Sequence, residues 1–286
     1  KNINRESVVW MSHEDSVVLL PDGFIVTATT KNSRYAAIES KAKGIYGIQF
    51  HPEVSHTSEG LKILDNFCKI ICKVKEVPAW NPETWIKESG NIIQKTVAKN
   101  KILVAISGGV DSLTMAALLR KFLPKEQILG VYIDTGLMPN ETKLEVEQFC
   151  KSRDINLLTK DSSVIFFDKL KGIKDPSRKG KVIGNTFIKE FERVAAKEDV
   201  KFFGQGTIWS DVVESGMTKF SSQIKPHHNV SGLPKKMRFK LVEPLRELFK
   251  DQVREISQQL NLPLEVVEKK VFPGPGFAIR VDGMVT

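Results

Sequence analysis

A chain of 286 residues is long enough for about two domains with cores of their own. Its 41% hydrophobic and 27% charged residues exclude a disordered or fibrous class, and no run approaches the ~18–20 consecutive apolar residues of a membrane span. The net charge of +9 is spread along the chain and not interleaved with aromatics as a stacking platform requires, so it favours phosphate contacts in a nucleotide enzyme over a nucleic-acid partner.

Positions 7–50 read as short strands (7–11, 16–20, 24–29, 35–39 and 44–50) divided by turns, Pro21-Asp22-Gly23 among them. The last of these strands runs into Gly47-Ile48-Gln49-Phe50-His51-Pro52-Glu53-Val54. In extended chain His51 and Glu53 face the same side, and an imidazole beside a carboxylate is the base-and-orienter half of a nucleophilic triad. A structural turn with one salt bridge is the plainer reading of the same residues. His13 and His56 read as loop histidines. A helix follows at 58–73, where Leu61, Leu64, Cys68 and Ile71 make an apolar stripe, so Cys68 and Cys72 are expected in the core. With Cys150 they are too few and too irregular for a disulfide framework, and no secretory leader is visible, so a reducing, cytoplasmic setting is expected.

Val77-Pro78-Ala79-Trp80-Asn81-Pro82 reads as a linker that ends in a helix start, with Asn81 as N-cap and Pro82 at the first helical position. Beyond it strands (102–106, 128–134, 155–159, 200–204) alternate with helices (83–98, 111–122, 140–153, 183–197, 249–260). That order predicts an α/β fold, a doubly wound parallel sheet that binds its ligands at the carboxyl ends of the strands. The first strand feeds Ser107-Gly108-Gly109-Val110-Asp111-Ser112, where two glycines let backbone N–H groups converge on a phosphate ahead of a helix N-terminus. No lysine stands in the loop, so it is not a Walker-A loop. An ordinary βα turn is the alternative. Residues 169–181 carry six Lys or Arg and read as a mobile loop, either a solvated surface segment or a basic lid over a phosphorylated substrate.

The Ser107–Ser112 run resembles the SGGxDS loop of the ATP pyrophosphatases, which hold the β,γ-pyrophosphate as leaving group while the α-phosphate is transferred. Gly47–Val54, with Met11-Ser12-His13 upstream, resembles the end of a class I, triad-type glutamine amidotransferase domain. The nucleophilic Cys of that family lies in an earlier elbow, whereas Cys68, Cys72 and Cys150 all follow His51. An amidotransferase end followed by an SGGxDS domain is the order of the glutamine-hydrolysing GMP synthetase family. Gln205-Gly206-Thr207, Ile224-Lys225-Pro226-His227-His228-Asn229-Val230, Leu241–Lys250 and Phe272-Pro273-Gly274-Pro275-Gly276 are similar to further motifs of that family.

The resemblance implies an amidotransferase portion over 1–76, an ATP pyrophosphatase domain over 77–270 and the start of a dimerisation domain over 271–286, hence a homodimer. It implies ATP, Mg²⁺, XMP and glutamine or ammonia as cofactors and substrates, and an adenylylated XMP as intermediate. His51 and Glu53 take the triad roles. Ser107, Gly108, Gly109, Val110, Asp111 and Ser112 cradle pyrophosphate, and Asp111 organises the metal. Asp134, Gly206 and Thr207 lie near the adenosine, and Lys225 and His227 reach the phosphates from a lid. Arg178 inherits an XMP contact, although Gly180 stands where the family usually has Arg. NAD synthetase, a tRNA-modifying PP-loop enzyme and a non-catalytic remnant are the competing readings.

Overall fold

The computed structural model describes residues 2–75, 79–214, 239–270, 272, 274 and 276–285. Two compact units divide the chain, Lys1–Ala79 and Trp80–Thr286.

In the first unit three antiparallel strands, β1 (Ile25–Ala28), β2 (Ala37–Ser40) and β3 (Ile45–Ile48), lie in that order. Of the expected strands at 7–11 and 16–20, only Trp10 pairs, in an isolated bridge with His51. Val17, Val18 and Leu19 are exposed, so no burial offsets the entropy of ordering them as a strand. The expected helix at 58–73 splits into α1 (Gly60–Asn66) and a π-helical turn at Phe67–Ile71. The extra residue of the π turn takes the chain off the 3.6-residue stripe. Leu61 is 82% exposed and both Cys68 and Cys72 are exposed, against the expectation of core packing, because no described residue of this unit covers that face.

The second unit is a five-stranded parallel sheet in the order β6-β5-β4-β7-β8, made of β4 (Ile102–Ala105), β5 (Ile128–Asp134), β6 (Asn156–Asp161), β7 (Phe202–Gly204) and β8 (Lys240–Val242). Ile102, Leu103 and Val104 are fully buried, as a central strand covered on both faces demands. One face packs on α2 (Pro82–Val97), α3 (Val110–Phe122), α4 (Glu141–Ser152) and α8 (Lys250–Gln259), and the other on α5 (Ser163–Leu170) and α6 (Pro176–Lys197). Short helices α7 (Trp209–Glu214) and α9 (Leu264–Val267) also belong to the unit. Asn81 caps α2, its side chain accepting from Thr84 N at 2.8 Å, with Pro82 in the first turn. The chain leaves β4 for β5 and β6 on one side and returns to β7 and β8 on the other. The switch point therefore lies between β4 and β7, where a ligand crevice belongs.

The stretch 169–181 is not a mobile loop throughout. α5 runs to Leu170 and α6 begins at Pro176, capped by Asp175, whose carboxylate accepts from Arg178 N at 2.7 Å. This Asp-Pro start outweighs the lysine clustering and Gly180. Lys179 is fully buried, its ammonium donating to the carbonyls of Ala278, Val281 and Gly283 at 3.2, 2.8 and 2.7 Å, so it is no lid residue.

A buried network steadies the carboxyl edge of β5 and β6. Glu190 of α6, 1% exposed, accepts from Ser162 Oγ at 3.0 Å and pairs with Lys160 at 2.6 Å and with Arg193, while Ser162 N donates to Asp134 O at 2.8 Å. Burial works against ionisation, but the hydrogen bonds from Lys160 and Ser162 and the charges of Lys160 and Arg193 prevail and hold the Glu190 carboxyl below its ordinary range. Glu190→Gln is expected to cost about 2–3 kcal/mol at neutral pH, less than a fully buried pair because Lys160 and Arg193 reach solvent. A carboxylate with a lowered folded pKa stabilises above its unfolded value and loses that contribution as pH falls through the folded one. Urea midpoints of wild type and variant should therefore converge below about pH 4.

Candidate active sites

β4 delivers the chain to the switch point, and two glycines and two serines shape the turn beyond it. Gly108 has φ +81°, and a Cβ there would lie 2.8 Å from Thr142 Cγ2, so both conformation and space require glycine. Ser112 Oγ donates to Gly109 O at 2.9 Å and accepts from Ser107 N at 3.2 Å and Ser107 Oγ at 3.1 Å. The two hydroxyls thus stitch the turn before any ligand arrives. Gly109 caps α3 with no side-chain bond, which leaves the first N–H groups of a 13-residue helix for an anion.

The loop after β7 closes on the same place. A Cβ on Gly206 would meet Asp111 C and O at 2.9 Å and Ser112 N at 3.0 Å, so a bare backbone is what lets this loop touch the start of α3. Thr207 is fully buried and its hydroxyl donates to Glu243, which Arg246 also pairs at 2.6 Å. The Thr207 side chain is committed to that support. Asp134 ends β5 on the same edge of the sheet, with Oδ1 accepting from Gly136 N at 3.0 Å across a turn that needs the φ of +68° at Gly136.

Asp111, in the first turn of α3, receives Lys250 Nζ on both carboxylate oxygens, at 2.7 and 2.8 Å. Burial pushes the Asp111 carboxyl up, and the attraction of Lys250, opposed by the nearby Asp211, does not fully bring it back. The two Asp111 carboxylate oxygens are hard donors of the kind Mg²⁺ takes, and they stand beside the uncapped N–H groups at the start of α3. Sequence reasoning gives Lys250 no role. A lysine at the first position of a helix, against the macrodipole preference, is the signal that could have found it.

The structure therefore brings Ser107, Gly108, Gly109, Val110, Asp111, Ser112 and Gly206 together, with Asp134 on the same strand edge. Arg178 is exposed on the first turn of α6, its backbone N–H bonded to Asp175. Lys225, His227, Pro273 and Pro275 lie outside the described residues.

In the first unit His51 Nδ1 and Glu53 Oε1 are 2.8 Å apart. The pair meets across a turn and not along a strand. His51 N donates to Trp10 O at 2.9 Å, Thr57 Oγ1 donates to His51 O, and Trp10 N donates to Thr57 Oγ1 at 3.1 Å. Gly60 packs so closely on Pro52 that a Cβ would come within 1.9 Å of its carbonyl oxygen. Glu53 is held below the ordinary carboxylate range, first by its own backbone N–H and then by the His51 bond. With Nδ1 on the carboxylate, Nε2 is the nitrogen left to take a proton, and both side chains are open to solvent. His13 Nδ1 bonds Asp15 O at 2.8 Å and His56 lies against Trp10, ring centroids 5.0 Å apart.

Residues 1–71 match the glutamine amidotransferase class-I family, and residues 82–266 match the PP-loop domain family. Across its full length the chain is 48% identical to the glutamine-hydrolyzing GMP synthase of Aquifex aeolicus and 46% identical to that of Campylobacter jejuni. It covers 56% of each, and so spans a little over half the length of the curated relatives it matches. Among solved structures, the NH3-dependent NAD synthetase of Campylobacter jejuni aligns with a TM-score of 0.54 at 13% identity, over 66% of this chain and 78% of that one. NMN synthetase from Francisella tularensis aligns with a TM-score of 0.53 at 15% identity, over 69% and 78%. These two likenesses carry the fold.

Proposed function

This chain belongs to the PP-loop domain family, and from that premise we propose that it is part of a glutamine-hydrolysing GMP synthase, a ligase that makes GMP from XMP, ATP and ammonia released from glutamine. The observation that carries the reading is the coexistence, in one chain and in that order, of a braced His51–Glu53 pair and a preformed Ser107–Ser112 loop. An XMP oxygen attacks the α-phosphate of ATP, and pyrophosphate leaves against the N–H groups of Gly108, Gly109 and Val110 and the start of α3. Ammonia then displaces AMP from the adenylylated XMP. Gly206 keeps the β7 loop on Asp111, and the Glu243–Thr207 bond holds that loop in place. Asp111 would hold Mg²⁺, whose chemistry there would be charge neutralisation on the leaving pyrophosphate.

In the amidotransferase portion Glu53 fixes the His51 tautomer, so that Nε2 activates a cysteine and returns its proton to departing ammonia. Lys225 and His227 as phosphate-reaching residues, Arg178 as an XMP contact and a homodimer joined through the chain from residue 271 onward are carried from the family resemblance. NAD synthetases share the fold, yet that reading leaves the His51–Glu53 pair without a purpose. The test incubates the full-length protein with ATP, Mg²⁺, glutamine and either XMP or deamido-NAD. GMP, AMP and pyrophosphate in equal amounts, with XMP alone, are expected. ATP cleavage with deamido-NAD and none with XMP would overturn the proposal.

A further inference from the structure

Lys250 occupies a place that its own chemistry does not favour. It is the first residue of α8, where the helix dipole repels a cation, and its ammonium lies on the first turn of α3, a second positive helix end. Arg254, one turn along α8, adds to the positive field on Asp111. The ammonium is gripped by Asp111 through both oxygens at 2.7 and 2.8 Å, with the Asp211 carboxylate near the same group. Both side chains are about a quarter exposed, so the pair can open to solvent without unfolding anything. The four-carbon stem of lysine lets its point charge swing away, as a bidentate arginine fork would not.

We propose that Lys250 is a built-in placeholder for the metal. It neutralises Asp111 in the nucleotide-free protein and gives up that carboxylate only when a polyphosphate brings the divalent cation. The inference rests on the reading of Asp111 as the metal-organising residue. The nearby Asp211 carboxylate offsets part of the repulsion, but a free divalent cation would still have to expel one positive charge while facing Arg254 and two positive helix ends. A polyphosphate removes that obstacle, because its own oxygens supply the anions for the displaced ammonium and for the N–H groups of α3. The site thereby discriminates the metal–nucleotide complex from the free metal. Asp111 is also spared as an unpaired, partly buried carboxylate whenever the nucleotide is absent.

The test measures Mn²⁺ binding to the full-length protein by electron paramagnetic resonance, with and without added pyrophosphate. Wild type is expected to bind Mn²⁺ at this site only with pyrophosphate. Lys250→Met, and Lys250→Gln as a second neutral variant should the first fold poorly, are expected to bind Mn²⁺ alone at least tenfold more tightly than wild type. Lys250→Arg, which keeps the charge but grips Asp111 with a fork that does not swing away, is expected to bind no Mn²⁺ alone and to bind it more weakly than wild type with pyrophosphate. The double variant Lys250→Met, Asp111→Asn should lose the new binding and gives the background of unrelated surface sites. Equal Mn²⁺ affinity without pyrophosphate in wild type and both neutral variants, while Asp111→Asn still abolishes pyrophosphate-dependent binding, would overturn the placeholder role alone. Undiminished binding in Asp111→Asn would overturn the metal reading beneath it, and the placeholder with it.

Discussion

Asp111→Asn in the full-length protein is expected to cut XMP-dependent pyrophosphate release from ATP by about three powers of ten, which corresponds to the several kcal/mol that a metal-held charge supplies. The substitution keeps volume and shape and removes the formal charge from the carboxylate that stands among the loop N–H groups. It should not unfold the protein. Burial raises the Asp111 carboxyl in spite of Lys250, so the ionised form is on balance disfavoured by folding. A group with a raised folded pKa contributes its stability at low pH and loses it as pH rises through the folded value. At neutral pH a neutral isostere therefore forfeits no native stabilisation, and Lys250, partly exposed, turns to water. The urea midpoint should stay close to wild type while release collapses. Normal release would remove Asp111 from the site. A collapse of the midpoint together with activity would make its role structural.

The glycine turn between β4 and α3 was legible because its causes are local. A continuous apolar run, a glycine pair and an apolar helix face lie within about twenty residues, and Gly108 and Gly109 have few other uses at such a junction. The α2 start was legible for the same reason, since Asn81 and Pro82 form a complete signature. Asp175-Pro176 carries the same signature but sits among lysines, and charge density there masks a capped helix. β8 is three residues, Lys-Leu-Val, too short for any periodicity, and exists because β7 offers it a ladder. Lys179 could not be read as buried, because its acceptors are backbone carbonyls about a hundred residues further on. Lys250 was hidden by distance too, 139 residues from Asp111. The Leu61–Ile71 stripe is the opposite case. The apolar pattern is real, but it predicts a buried face only where a covering layer exists, and among the described residues of this unit Leu61 and Cys68 have none.

The largest selective effect is expected at His51, because the two proposed chemistries share a chain and not their reacting groups. In the full-length protein His51→Ala should reduce glutamine-dependent GMP formation by about 10⁴-fold or more, since no base remains to activate the nucleophile or to protonate ammonia as it leaves. Supplied ammonium should restore synthesis to the wild-type level, because the loop at Ser107–Ser112 needs only free amine. Glu53→Ala should show the same selectivity with a loss smaller by roughly a hundredfold, as an orienting carboxylate costs less than the base it holds. The structure adds a control that separates chemistry from scaffolding. Thr57 supports the turn from behind through two backbone groups, the His51 carbonyl and the Trp10 amide. Thr57→Val should thus weaken glutamine-dependent activity only as far as the turn loosens, and the loss should track the thermal stability of the protein. His51→Ala should leave thermal stability near wild type, for its ring is solvent-exposed and bonds to the equally open Glu53. If His51→Ala kept its glutaminase activity, or lost ammonium-dependent synthesis to the same degree, the histidine would be a piece of turn architecture and the triad assignment would fall.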